Sequence, residues 1–138
     1  VVIHRDPVLL CGSVFSLIRG LSSTFSDADH TRYITDHWTE MLQLCIDRTE
    51  AFRAAHPEHP LIDVRYDDLV KDPVGTVAGI YQAAGESLTS EARAAMSGYM
   101  AAHPKGQLGD HRYDLADFGV QREDIAQRFA GYAERYGV

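Results

Sequence analysis

The sequence predicts an α/β fold, mostly helical with two parallel strands. Val1-Val2-Ile3 is a short β-branched run that passes straight into an apolar helix, the pattern of a buried parallel strand. Leu61-Ile62-Asp63-Val64-Arg65-Tyr66 repeats that pattern ahead of a second proline-started helix. Between and after these runs, apolar residues recur at helical spacing. With 138 residues, 45% of them hydrophobic, the chain has enough apolar surface for one core and reads as a single domain over 1–138. Its first residues are already a strand, with no initiator Met and no lead-in, which predicts that the sequence is part of something longer.

Taken in order, Asp6 is a candidate N-cap with Pro7 at the first helical position, opening a helix to about Leu21. A polar loop with Ser22, Ser23, Ser26, Asp27 and Asp29 leads to a second helix. There Ile34, Trp38, Met41, Cys45 and Phe52 form a stripe read as core. Pro57 and Pro60 end that helix before the second strand. An acidic turn, Asp67-Asp68, then precedes a helix started by Pro73, with Val74, Val77, Tyr81 and Ala84 on one face and Gly85 as its stop. Thr89 or Ser90 caps a fourth helix over about 91–102. Residues 103–120 show neither period and hold Pro104, Gly106, Gly109 and Gly119, so they are expected to be an ordered loop. One closing helix carries Ile125, Phe129, Tyr132 and Tyr136.

Composition narrows the function. Thirteen Lys and Arg against twenty Asp and Glu give a formal charge of −7, which argues against binding nucleic acid by bulk attraction. Any anionic ligand must be held by a local cluster. The apolar runs are too short to span a bilayer and the amino terminus has no secretion signal, so the default location is cytoplasmic. Cys11 and Cys45 are too few for a disulfide framework and are read as buried free thiols.

Three groups of residues carry possible chemistry. Arg5 sits at the end of the first strand, where open α/β sheets bind ligands, and its planar fork suits a phosphate. Ser13, eight residues on, offers a hydroxyl about two turns into the next helix. Spacing alone favours the plainer alternative, a surface ion pair and a small packed side chain. Tyr66 ends the second strand and either lines an adenine pocket or is a strand-end core residue. In Pro104-Lys105-Gly106-Gln107-Leu108-Gly109-Asp110-His111-Arg112, glycines permit close approach of a phosphate while Lys105 and Arg112 supply charge, although an exposed turn has the same composition. Of the seven histidines, His4 is expected to point to the sheet face opposite Arg5, and all read as packed or solvated imidazoles. His103, Asp110, His111 and Asp114 fit no standard metal spacing, and no metal is expected.

The order and internal spacing of these groups resemble the sulfotransferase family that uses 3′-phosphoadenosine 5′-phosphosulfate, over nearly the whole chain and most closely in its bacterial branch. The resemblance implies that Arg5 and Ser13 contact the donor's 3′-phosphate. It places the adenine-contacting tyrosine at Tyr66, in the segment from Tyr66 to Pro73. It also implies that Lys105, Gly106, Gly109 and Asp110 belong to a loop over the 3′-phosphate, with Arg112 beside it. His111-Arg112-Tyr113 and Asp117-Phe118-Gly119 have recognisable counterparts. The implied fold is a partial P-loop NTPase-like three-layer αβα fold without its amino-terminal phosphate-loop half, this chain being the carboxyl-terminal part of the domain. The implied reaction moves a sulfuryl group to a hydroxyl or amine of a small-molecule or glycolipid acceptor.

Departures from the family pattern bear on that reading. Pro104 stands where cytosolic members place an arginine, so the anion contact falls to Lys105 or Arg112. The Lys-x-x-x-Thr-Val dimer motif of animal cytosolic members is absent, which leaves the oligomeric state open. Nothing in the sequence resembles the Gly-rich loop that holds the phosphosulfate, or the usual His or Glu base. The chain alone is therefore expected to be inactive. Two rivals stand beside this reading: a non-catalytic nucleotide-binding or interaction module, and part of a P-loop kinase.

Overall fold

Proline-started helices and two β-branched runs organise the chain much as their residue types demand. The computed structural model describes residues 1–104 and 113–138. In chain order these form β1 (Val2–His4), α1 (Pro7–Ser22), α2 (Thr31–Ala55), β2 (Asp63–Arg65), α3 (Tyr66–Lys71), α4 (Pro73–Ala83) and α5 (Ser90–Ala102). A 3₁₀ turn (Leu115–Phe118), α6 (Arg122–Arg128) and α7 (Ala130–Tyr136) follow. The elements group into two compact units.

The first unit takes in Val1–His4 and residues 61–104. β1 and β2 run parallel, pairing Val2 with Asp63, Ile3 with Val64 and His4 with Arg65. His4 is only 2% exposed. A buried imidazole needs a polar partner, and its Nε2 lies 2.9 Å from Asp63 Oδ1 on the same sheet face. β2 is shorter than the predicted strand at both ends, since Leu61 and Ile62 precede it and Tyr66 already belongs to α3. The segment expected to be an acidic turn is helical, with Asp67 and Asp68 in its first turn, where carboxylates favour the helix dipole. Asp72 then ends α3 and caps α4, accepting the Gly75 amide at 2.9 Å. Thr89 caps α5 by accepting the Ala92 amide.

The second unit comprises Arg5–Pro60 and residues 113–138. Asp6 accepts the Val8 amide at 2.8 Å and Pro7 opens α1, as expected. Val8, Cys11 and Phe15 on α1 pack with Ile34 of α2, Leu115 and Phe118 of the 3₁₀ turn, and Ile125 and Phe129. The rings of Phe15 and Phe118 lie 5.7 Å apart in a tilted pair. Each fully buried side chain of this size contributes about 1.5–3 kcal/mol.

Four expectations change here. The core-facing stripe of α2 runs through Ile34, Trp38, Leu42 and Ile46, while Cys45 and Phe52 are exposed. The i, i+4 row, not the broader apolar set, selects the contact face. Cys11 alone is a buried thiol, and burial pushes its pKa up to about 11. Part of the expected loop is regular, since Asp114 accepts the Ala116 amide and starts the 3₁₀ turn, which Gly119 ends at φ +68°. The closing stripe is also divided, with buried Phe129 standing between α6 and α7.

Candidate functional site

Arg5 is the residue directly after β1 and precedes the Asp6 cap of α1. It is half-buried, and its Nη2 donates to the Tyr113 hydroxyl at 3.3 Å. That hydroxyl spends its own proton on the Leu9 carbonyl, 2.9 Å away in the first turn of α1. The tyrosine ring lies against Gly12, where an added Cβ would meet its Cδ2 at 2.6 Å and its Cε2 at 2.7 Å. A glycine inside a helix costs roughly 1 kcal/mol relative to alanine. At this position it makes room for the ring.

Ser13 lies one turn beyond Leu9 on α1 and is half-buried. Arg5 and Ser13 thus belong to the same unit and flank the first turns of one helix. At the other end of α1, the Arg19 guanidinium lies 4.1 Å from the centre of the Phe118 ring and donates to the Asp117 carbonyl. That arginine is committed to packing the 3₁₀ turn.

In the first unit, Tyr66 is the residue directly after β2 and the first of α3. It is half-buried and stands past the strand rather than within it. A groove of about 480 Å³ runs along β2 and α4, lined by Ile62, Val64, Arg65, Asp68, Thr76 and Ile80. Its polar groups are partly used internally, as the Thr76 hydroxyl donates to the Asp68 carbonyl at 3.2 Å.

Lys105, Gly106 and Arg112 lie outside the described residues, as do Asp110 and His111. Of the other histidine and carboxylate candidates for a metal, His103 Nδ1 is 2.9 Å from the Tyr99 carbonyl, and Asp114 caps the 3₁₀ turn. Among the described residues no group of three His, Cys, Asp or Glu side chains is arranged to hold a metal ion, and no helix is long and apolar enough to cross a membrane. Sequence reasoning assigned Tyr113 no contact in this constellation. The family resemblance of His111-Arg112-Tyr113 marks the residue without saying what it touches, and Gly12 inside the predicted helix leaves room for a close neighbour without saying which.

A family model described as "Sulfotransferase family" matches residues 1–90. Among solved structures, the chain is similar to sulfotransferase STF9 from Mycobacterium avium, at 26% identity and a TM-score of 0.84 over 99% of this chain. It is also similar to sulfotransferase STF1 from Mycobacterium tuberculosis, at 33% identity and a TM-score of 0.65 over 95% of this chain. The match covers 36% of the first structure and 33% of the second, so the chain spans about a third of their length. No curated protein matches the sequence.

Proposed function

Because this chain belongs to the sulfotransferase family, we propose that it holds the adenosine and 3′-phosphate of 3′-phosphoadenosine 5′-phosphosulfate. The observation that carries this reading is Arg5. In a chain of net charge −7, a half-buried guanidinium oriented by a tyrosine hydroxyl at the start of α1 offers a fork of N–H donors suited to a phosphate. Ser13 adds a hydroxyl to the same anion and Tyr66 takes the adenine. Lys105, Gly106 and Arg112 complete the 3′-phosphate contact.

In the complete reaction the donor's sulfur–oxygen bond to the 5′-phosphate breaks and a bond forms to an acceptor hydroxyl or amine. The acceptor's proton passes to a base, and 3′,5′-diphosphoadenosine leaves. We assign this chain neither that base nor the groups that hold the sulfate. Its residues bind and orient.

The test compares two nucleotides by calorimetry in the protein at its natural length. Arg5→Ala removes a charge-assisted contact and is expected to weaken 3′,5′-diphosphoadenosine by about 1.5–3 kcal/mol, against about 0.5–1.5 kcal/mol for Ser13→Ala. Adenosine 5′-phosphate, which has no 3′-phosphate, should bind nearly as before. Equal losses for both nucleotides would mean that Arg5 and Ser13 support folding, and the assignment would be withdrawn.

A further inference from the structure

We infer that Tyr113 is a positioning residue for the 3′-phosphate contact, holding the Arg5 guanidinium in its binding orientation before the nucleotide arrives. This rests on the reading of Arg5 given above. A phenol has one proton to donate. Because that proton goes to the Leu9 carbonyl at 2.9 Å, the hydroxyl presents a lone pair to Arg5 Nη2 at 3.3 Å. The acceptor direction is therefore set by α1 itself.

The ring cannot slide away from that geometry without leaving the Gly12 slot, which would accept no larger residue at its present separation. Hydroxyl and ring are thus fixed independently, one by a helix carbonyl and the other by a missing side chain. A guanidinium holds its donors in one plane, so the bond from Nη2 to the Tyr113 hydroxyl bears on the direction in which that whole plane faces. An unrestrained arginine would have to give up its side-chain freedom on binding. One held in advance loses less, and the saving appears as affinity for the anion it contacts.

The experiment is a double-mutant cycle in the protein at its natural length, read by calorimetry with 3′,5′-diphosphoadenosine and adenosine 5′-phosphate. Tyr113→Phe keeps the ring in the Gly12 slot and removes only the hydroxyl. It is expected to weaken 3′,5′-diphosphoadenosine about three- to tenfold, with adenosine 5′-phosphate and the melting temperature unchanged. In an Arg5→Ala background the same substitution should have no further effect on either nucleotide. If Tyr113→Phe changes neither nucleotide, or weakens both alike, the positioning role is wrong while a selective loss in Arg5→Ala still upholds the 3′-phosphate site. If Arg5→Ala itself shows no selective loss, both inferences fall.

Discussion

Gly12 shows how one absent methyl group can govern a site. Substitution by alanine would ordinarily stabilise a helix interior by roughly 1 kcal/mol. Here the new Cβ would stand 2.6 Å from a Tyr113 ring carbon, so the ring must move. Gly12→Ala is therefore expected to destabilise the protein, by about 1–3 kcal/mol as an overpacked contact, in urea or guanidinium unfolding. An alanine variant as stable as the parent would show that the ring is not confined. The residue types at this site were legible before their arrangement was. Local pattern places Arg5 at a strand end and Ser13 on a helix without assigning either a ligand, whereas the Arg5–Tyr113 bond joins positions 108 apart, a separation no local period encodes. His4 is a similar case. Its place on the sheet face opposite Arg5 is an expectation from strand alternation that left packed and solvated imidazole open, whereas its bond to Asp63 depends on strand register.

The helices of this chain declare their beginnings more clearly than their ends. Asp6-Pro7, Pro73 and the Thr89-Ser90 pair are each readable as starts, since a side-chain acceptor or a preset φ acts within a few residues, and the structure adds Asp72 as the cap before Pro73 and selects Thr89. α3 was missed because Tyr66–Lys71 is short and acidic, and its stability comes from packing on β2 and α4 rather than from an apolar period of its own. The division between α6 and α7 was missed for the opposite reason. The apolar stripe continues through Phe129 while the helix does not. Asp72 joins two elements: its amide bonds back to the Asp68 carbonyl and its carboxylate holds the Gly75 amide, where glycine leaves room for the carboxylate. Asp72→Ala is expected to cost about 0.5–2 kcal/mol and to speed hydrogen exchange at the Gly75 amide, with Asp72→Asn close to neutral. Unchanged exchange in the alanine variant would remove the cap from the account.

At the scale of the whole chain, 138 residues carry a proposed nucleotide-holding role without a proposed base or sulfate-binding loop. The chain by itself is therefore expected to transfer no labelled sulfate from 3′-phosphoadenosine 5′-phosphosulfate to any acceptor above a protein-free control. Transfer above that control would place a base within these residues and overturn the division of labour proposed here. The parallel pairing of β1 with β2 has a consequence for how the chain folds. His4 and Asp63 meet across 59 positions, and closing a loop of that length costs on the order of 4 kcal/mol of chain entropy before any strand contact forms. The helices α1 and α2, which lie in sequence between the strands, make their contacts with each other over shorter separations. Contacts close in sequence cost less chain entropy to form, so the α1–α2 contacts are expected to form before the β1–β2 pairing closes.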